Sequence, residues 1–230
     1  MASTPTTLPQ SPGLMQDLLH LVSQPLTTLH CALELSLTQD ESERGTEEVA
    51  LALEQTERVI EAVRLMRVYL ESEEGCFVAA PFPLGLAVEN VLEQISVPAE
   101  ARGLSLFAFG TSTVAIPVRS AWLQRALFYL IGSLMENCPP RDALAILLED
   151  GASHSVVSGH ILPIDSTVES PASWAPRRTP EMEVLRQVKI EIARRVLSSS
   201  GASLEFSREG KAGFMIRIPR SRLQTEEVSA

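Results

Sequence analysis

The sequence predicts an α+β protein: a helical hairpin followed by an α/β sandwich. Between Leu14 and Leu37 apolar residues fall at 19, 22, 26, 29 and 33, alternating steps of three and four, which is a heptad-like seam. After the polar break at 39–45 comes a second series, Val49, Leu53, Thr56, Ile60, Val63, Arg67 and Leu70. Beyond residue 83 the pattern changes to short apolar runs interleaved with helical stretches, as expected for helices layered on one mixed sheet.

The hairpin is expected over 14–74, after a disordered lead at 1–13. Glu47 and Glu48 fall in the first turn of its second helix, where negative charge complements the helix dipole. A lone hairpin cannot cover its own apolar seam. Pairing with a second copy, as a homodimeric four-helix bundle, would do so. Residues 75–83, with Gly75, Pro81 and Pro83, read as a linker. The second domain is expected over 84–220. It begins with a helix at 84–102 closed by Gly103, then strands at 104–109 and 113–118. An apolar helix at 121–136 is halted by Cys138-Pro139-Pro140. Strands follow at 143–149 and 155–162, the first so apolar that it should be buried on both faces. A loop at 163–180 holds four prolines. A helix at 181–198, capped by Gly201, leads to strands at 203–208 and 213–219, and the tail at 221–230 is expected to be disordered.

Composition narrows the function. The 230 residues are 45% hydrophobic and 21% charged, enough to bury a core in two modest domains. No apolar run reaches the roughly 18 residues that cross a bilayer. The opening MASTPTTLPQSPG lacks the basic start and apolar centre of a secretory signal, so a cytoplasmic location is expected. Cys31, Cys76 and Cys138 are odd in number and far apart, and the four histidines make no metal-binding spacing, so neither a disulfide framework nor a metal site is expected. A net charge of −10 argues against nucleic acid and anionic membrane as partners. Residues 40–74 alone hold eleven acids against four arginines, a net −7.

The most informative stretch is His20-Leu21-Val22-Ser23-Gln24-Pro25-Leu26. Proline in mid-helix lacks the N–H that would bond the Leu21 carbonyl, and its ring crowds that carbonyl. The helix carries a defect within a turn of an imidazole. His20 lies one step off the apolar seam, on a face shared with Gln16, Asp17, Gln24 and Thr27, and should therefore be exposed. His30, without a proline partner, reads as a partly buried helical histidine.

A hairpin with H-x-x-x-x-P-L in its first helix, followed by an α/β domain, resembles a two-component sensor histidine kinase, with the second domain of the family's ATPase-like type. His20, Pro25 and Leu26 match the family's H-box, written H-E-L-R-T-P-L, while Leu21, Ser23 and Gln24 depart from it. Residues 121–138 are similar to the N-box helix. The run I-E-I-A-R-R-V-L-S-S-S-G at 190–201 resembles the helix after the last glycine box.

The resemblance implies that His20 is a phosphoacceptor. It places Leu21 where the family carries the acid that acts as base or orienter in autophosphorylation, a job leucine cannot do. Gln24 takes the place where phosphatase-active members position a water. Gln16, Gln24 and Thr27 would form the docking face for a partner.

The resemblance also shows a nucleotide pocket out of pattern. Tyr129 and Ser133 stand at the N-box asparagines, and Glu136 at its lysine. Asp165 lies in the one candidate for D-x-G-x-G, which has no glycine, and Gln187 through Lys189 replace the final glycine box. Side chains there would obstruct the approach of backbone N–H groups to phosphate. No cofactor or metal is therefore expected. The favoured reading is a dimeric histidine phosphotransfer protein that exchanges phosphate with response-regulator receiver domains. Two alternatives stay open: an active kinase or phosphatase with unorthodox residues, and a non-catalytic pseudokinase scaffold.

Overall fold

A computed structural model of the chain describes residues 12–38, 45–75, 77–163, 179–206 and 213–220. Two compact units partition it: one comprises residues 1–70 with 179–188, the other 71–178 with 189–230.

The first unit holds helix α1 (Pro12–Thr38) and most of α2 (Gly45–Glu73). Only six residues separate the end of α1 from the start of α2, and 20–28 of α1 lines the same cleft as 55–61 of α2, so the chain doubles back and the two helices run antiparallel. Their buried stripe is Leu18, Leu21, Pro25 and Ala32 on α1 with Gln55, Ala62, Leu65 and Tyr69 on α2. This is not the seam the periodicity picked out. Leu19, Leu26 and Leu33 are 46–55% exposed, and Val49, Leu53, Ile60 and Val63 are exposed with them. The hairpin thus has two apolar stripes, one buried within the chain and one left on its surface. Pro25 sits inside α1 without ending it. The hydroxyls of Ser23, Thr27 and Thr28 donate to the carbonyls of Leu19, Ser23 and Gln24, each four residues back, as helical Ser and Thr commonly do.

The second unit is built on a five-stranded mixed sheet in the order β2-β4-β5-β7-β6, with β2 (Ser105–Phe109), β4 (Ala143–Asp150), β5 (His154–Leu162), β6 (Ser203–Phe206) and β7 (Gly213–Pro219). Among the described residues only β2 and β4 pair in parallel. Strand β4, flanked on both sides, buries Ala143 through Ile146, as its apolar run predicted. Helices α3 (Leu84–Ala101) and α4 (Ser120–Glu136) bury Val88, Val91, Ile95, Leu123, Leu127 and Ile131 in the core. Along α5 (Pro180–Ser199), Ile192, Ala193 and Val196 are buried as well. At Gly159 of β5 a Cβ would stand 2.5 Å from the Phe214 ring and 2.7 Å from Leu134 of α4. Only glycine lets that ring and helix close on the sheet.

The expected linker at 75–83 is a correction. Val78–Pro83 forms strand β1, antiparallel to β3 (Ala115–Val118) in a separate two-stranded sheet. Its prolines are tolerated because the strand pairs on one side only. Phe77, just before it, is buried and meets the Trp122 ring edge-on at 5.1 Å. Residues 179–188 group with the hairpin, whereas the second domain was expected to be continuous over 84–220. The expected lead at 1–13 lies outside the described residues except for Pro12 and Gly13, and so do the tail at 221–230, strand residues 207–208 and most of the proline-rich loop.

Asp150 closes the far end of β4. Its carboxylate accepts from the Ser112 and Ser155 hydroxyls at 2.8 and 2.7 Å, and from the Thr113 N–H at 2.9 Å and hydroxyl at 3.1 Å. Partial burial pushes its pKa upward, but these donors outweigh it and hold the group at about 2.

Candidate functional site

His20 is exposed on α1, and Gln16, Asp17, Gln24 and Thr27 are exposed beside it, as helical geometry required. A cleft of about 750 Å³ opens at this face, entirely within the first unit. His20, Ser23, Gln24, Thr27 and Thr28 line it from α1, Gln55, Arg58 and Glu61 from α2, and Thr179, Glu181, Met182 and Leu185 from the start of α5. The structure therefore brings His20, Gln24 and Thr27 to one cavity, whereas Gln16 does not line it. Leu21, where the family has its acid, is buried.

The α5 contribution was not legible in the sequence. Thr179 stands just before the helix, and its hydroxyl accepts from the Met182 N–H at 3.3 Å, which is helix capping. Glu181 and Glu183 occupy the first turn, where the dipole favours anions. Glu183 is tied to Arg186 and Gln187 on its own helix. Glu181 faces the cleft. The Thr179 hydroxyl and its own backbone N–H hold its carboxyl below the usual range, with Arg58 and His20 adding attraction against a small opposing effect of burial. Arg58 donates to Glu54 at 2.6 Å.

His30 departs from expectation. It is exposed, and its Nδ1 lies 3.6 Å from Glu34, one turn on. Cys31 is exposed as well, while Cys138 is buried. Burial, helped by Asp142 and opposed by Arg102, pushes the Cys138 thiol up to about 11, too high for a nucleophile near neutral pH. Among the described residues no cluster of His, Cys, Asp and Glu is placed to hold a metal ion, and none of their helices is long and apolar enough to cross a membrane.

The residues expected at the nucleotide pocket divide as follows. Ser133 is buried on α4, and its carbonyl accepts from the Asn137 side-chain amide at 2.5 Å. Glu136, at the end of α4, lies 3.8 Å from the Lys189 ammonium of α5. Gln187 is exposed and donates to Glu183 at 3.2 Å. Asp165 lies outside the described residues.

No family model matches the sequence, and no curated protein matches it significantly. Solved structures do. The Acinetobacter baumannii histidine kinase AdeS is 15% identical with a TM-score of 0.62, over 87% of this chain and 97% of that one. The chain is histidine-kinase-like in fold. Histidine kinase ThkA, solved in complex with response regulator protein TrrA, gives a TM-score of 0.67 at 14% identity, over 90% of this chain and 61% of that one. Full-length ShkA in complex with AMPPNP gives 0.56 at 14% identity, over 90% of this chain and 45% of that one. This histidine-kinase-like chain thus keeps the hairpin-plus-sandwich plan at low identity, and residue roles have to be argued from its own side chains.

Proposed function

We propose that this chain is a cytoplasmic, homodimeric histidine phosphotransfer protein of two-component signalling, in which His20 takes a phosphoryl group from one receiver-domain aspartate and passes it to another. The observation that carries the reading is His20 itself, exposed at the edge of an open cleft. A phosphoacceptor imidazole has to be reached by a folded partner, and a neutral imidazole is a competent nucleophile near pH 7. The ThkA structure, a histidine kinase held with a response regulator, supports a receiver as the partner class. The face bearing Gln16, Gln24 and Thr27 is open for it.

The nucleotide that the fold would suggest does not fit the residues present. A buried Ser133 is short and turned inward where a magnesium ligand is needed. Glu136 and Lys189, which the resemblance sets at the N-box lysine and the last glycine box, lie 3.8 Å apart and would bring a carboxylate and a long side chain against an incoming phosphate. Exchange between aspartate and histidine needs no such pocket. The exposed stripe Leu19, Leu26, Leu33, Val49, Leu53, Ile60 and Val63 supports the dimer, since a second copy would cover it. Gln24, one turn from His20 on the cleft wall, would hold a hydrolytic water and give the protein a phosphatase role as well. The decisive experiment is incubation with phosphorylated receiver domains. Label should appear on His20 and vanish in His20→Ala; transfer that persists in the variant refutes the assignment.

A further inference from the structure

We propose that Glu181, from the first turn of α5, is the positioning residue for His20, supplying across the cleft the carboxylate that Leu21 cannot. This rests on the reading of His20 as a phosphoacceptor and extends it to a residue some 160 positions away in sequence. His20 and Glu181 line one cavity within one unit. Glu183, two residues on, is engaged by Arg186 and Gln187. The Thr179 hydroxyl and its own backbone N–H hold the Glu181 carboxyl below the usual range, with His20 among the attracting groups.

The chemistry defines the role. As one imidazole nitrogen attacks, its lone pair forms the N–P bond. The P–O bond of the acyl phosphate breaks, and its electron pair stays on the receiver's aspartate. The ring becomes a phospho-imidazolium whose second N–H carries the positive charge. Glu181 accepts the hydrogen bond from that N–H, orients the ring and stabilises the charge, and the proton then leaves to water. In the return transfer the same carboxylate holds the ring while the phosphoryl group departs. The other charged groups at the cleft are Arg58 and Glu61 from α2, with Glu54 bound to Arg58; Asp17 lies one turn before His20 on α1.

The test uses the full chain and two phosphodonors: phosphoramidate, which phosphorylates histidine without a receiver, and a phosphorylated receiver domain. Initial rates at His20 are followed from pH 6 to 9 in the wild type, Glu181→Gln, Glu181→Asp and, as a control outside the cleft, Glu93→Gln. Glu181→Gln should slow both donors by about tenfold and alter the pH profile. Glu181→Asp should restore most of the rate, and Glu93→Gln should leave rate and profile unchanged. Wild-type rates and profile in Glu181→Gln, an equal loss in Glu93→Gln, or a wild-type His20 inert to phosphoramidate would each overturn the proposal. A wild type that reacts with phosphoramidate in a Glu181-dependent way, yet with no receiver, refutes the phosphotransfer reading and leaves the pairing of Glu181 with His20 standing.

Discussion

Glu136 and Lys189 face each other across 3.8 Å, one from the end of α4 and the other from the middle of α5. Lys189 is 21% and Glu136 39% exposed, so solvent still screens the pair, which contributes about 1 kcal/mol of stability. On the proposed reading it also stands in the way of nucleotide phosphates. Calorimetry with Mg-ATP should show no saturable binding up to millimolar nucleotide. A dissociation constant in the low micromolar range would contradict the assignment.

The exposed stripe on α1 and α2 should make the protein a dimer at micromolar concentration. Burying one such leucine contributes roughly 1.5–3 kcal/mol. Light scattering should therefore report twice the 25.1 kDa chain mass, falling to one chain in Leu26→Asp combined with Ile60→Asp. Both side chains are over 40% exposed in the chain, so the variant should still fold by circular dichroism.

His20→Ala should abolish phosphorylation by receivers while leaving the melting temperature within a degree or two. An exposed side chain usually contributes within about 0.5 kcal/mol. Mass spectrometry should find the label on His20 alone, including against His30, which is also exposed and has its own carboxylate partner in Glu34.

Asp150 gives the second unit an acid-sensitive point. Its pKa is held at about 2, below the ordinary 3.8, so the charged form is favoured by folding. That stabilisation is complete above the unfolded value and is lost as pH falls from roughly 4 through 2. Asp150→Asn should cost about 1 kcal/mol at pH 7, a charged hydrogen-bond contribution discounted for solvent exposure, and should differ little from wild type at pH 2. Urea titrations at the two pH values check this. An equal cost at both would show that shape, rather than charge, ties Asp150 to Ser112 and Thr113.

The hairpin and the strands of the large sheet were legible because each carries a strong period or an unbroken apolar run, as at 143–146. Strand β1 was not, since Pro81 and Pro83 read as breakers and its register shifts between Val78 and Phe82. The buried stripe on α1 was masked by its neighbour: Leu18 and Leu21 sit one position from the Leu19 and Val22 of the visible seam, and Pro25 gave no hint that it would be buried. His20, Gln24 and Thr27 could be grouped on one face by helical angle alone. The walls formed by Arg58 and Glu181 come from other elements, and no local pattern in the sequence signals that meeting.

Pro25 also divides α1 into two lengths for the exchange of amide hydrogens. The ladder lacks its rung from residue 25 to the Leu21 carbonyl, so opening of the first length need not propagate through the second. Amides from Leu18 to Gln24 should exchange with deuterium faster than those from Leu29 to Leu33, although both stretches are helical. The imidazole of His20 would then ride on a segment that loosens and re-forms on its own, able to adjust to two different partners in turn while the rest of the helix keeps its place.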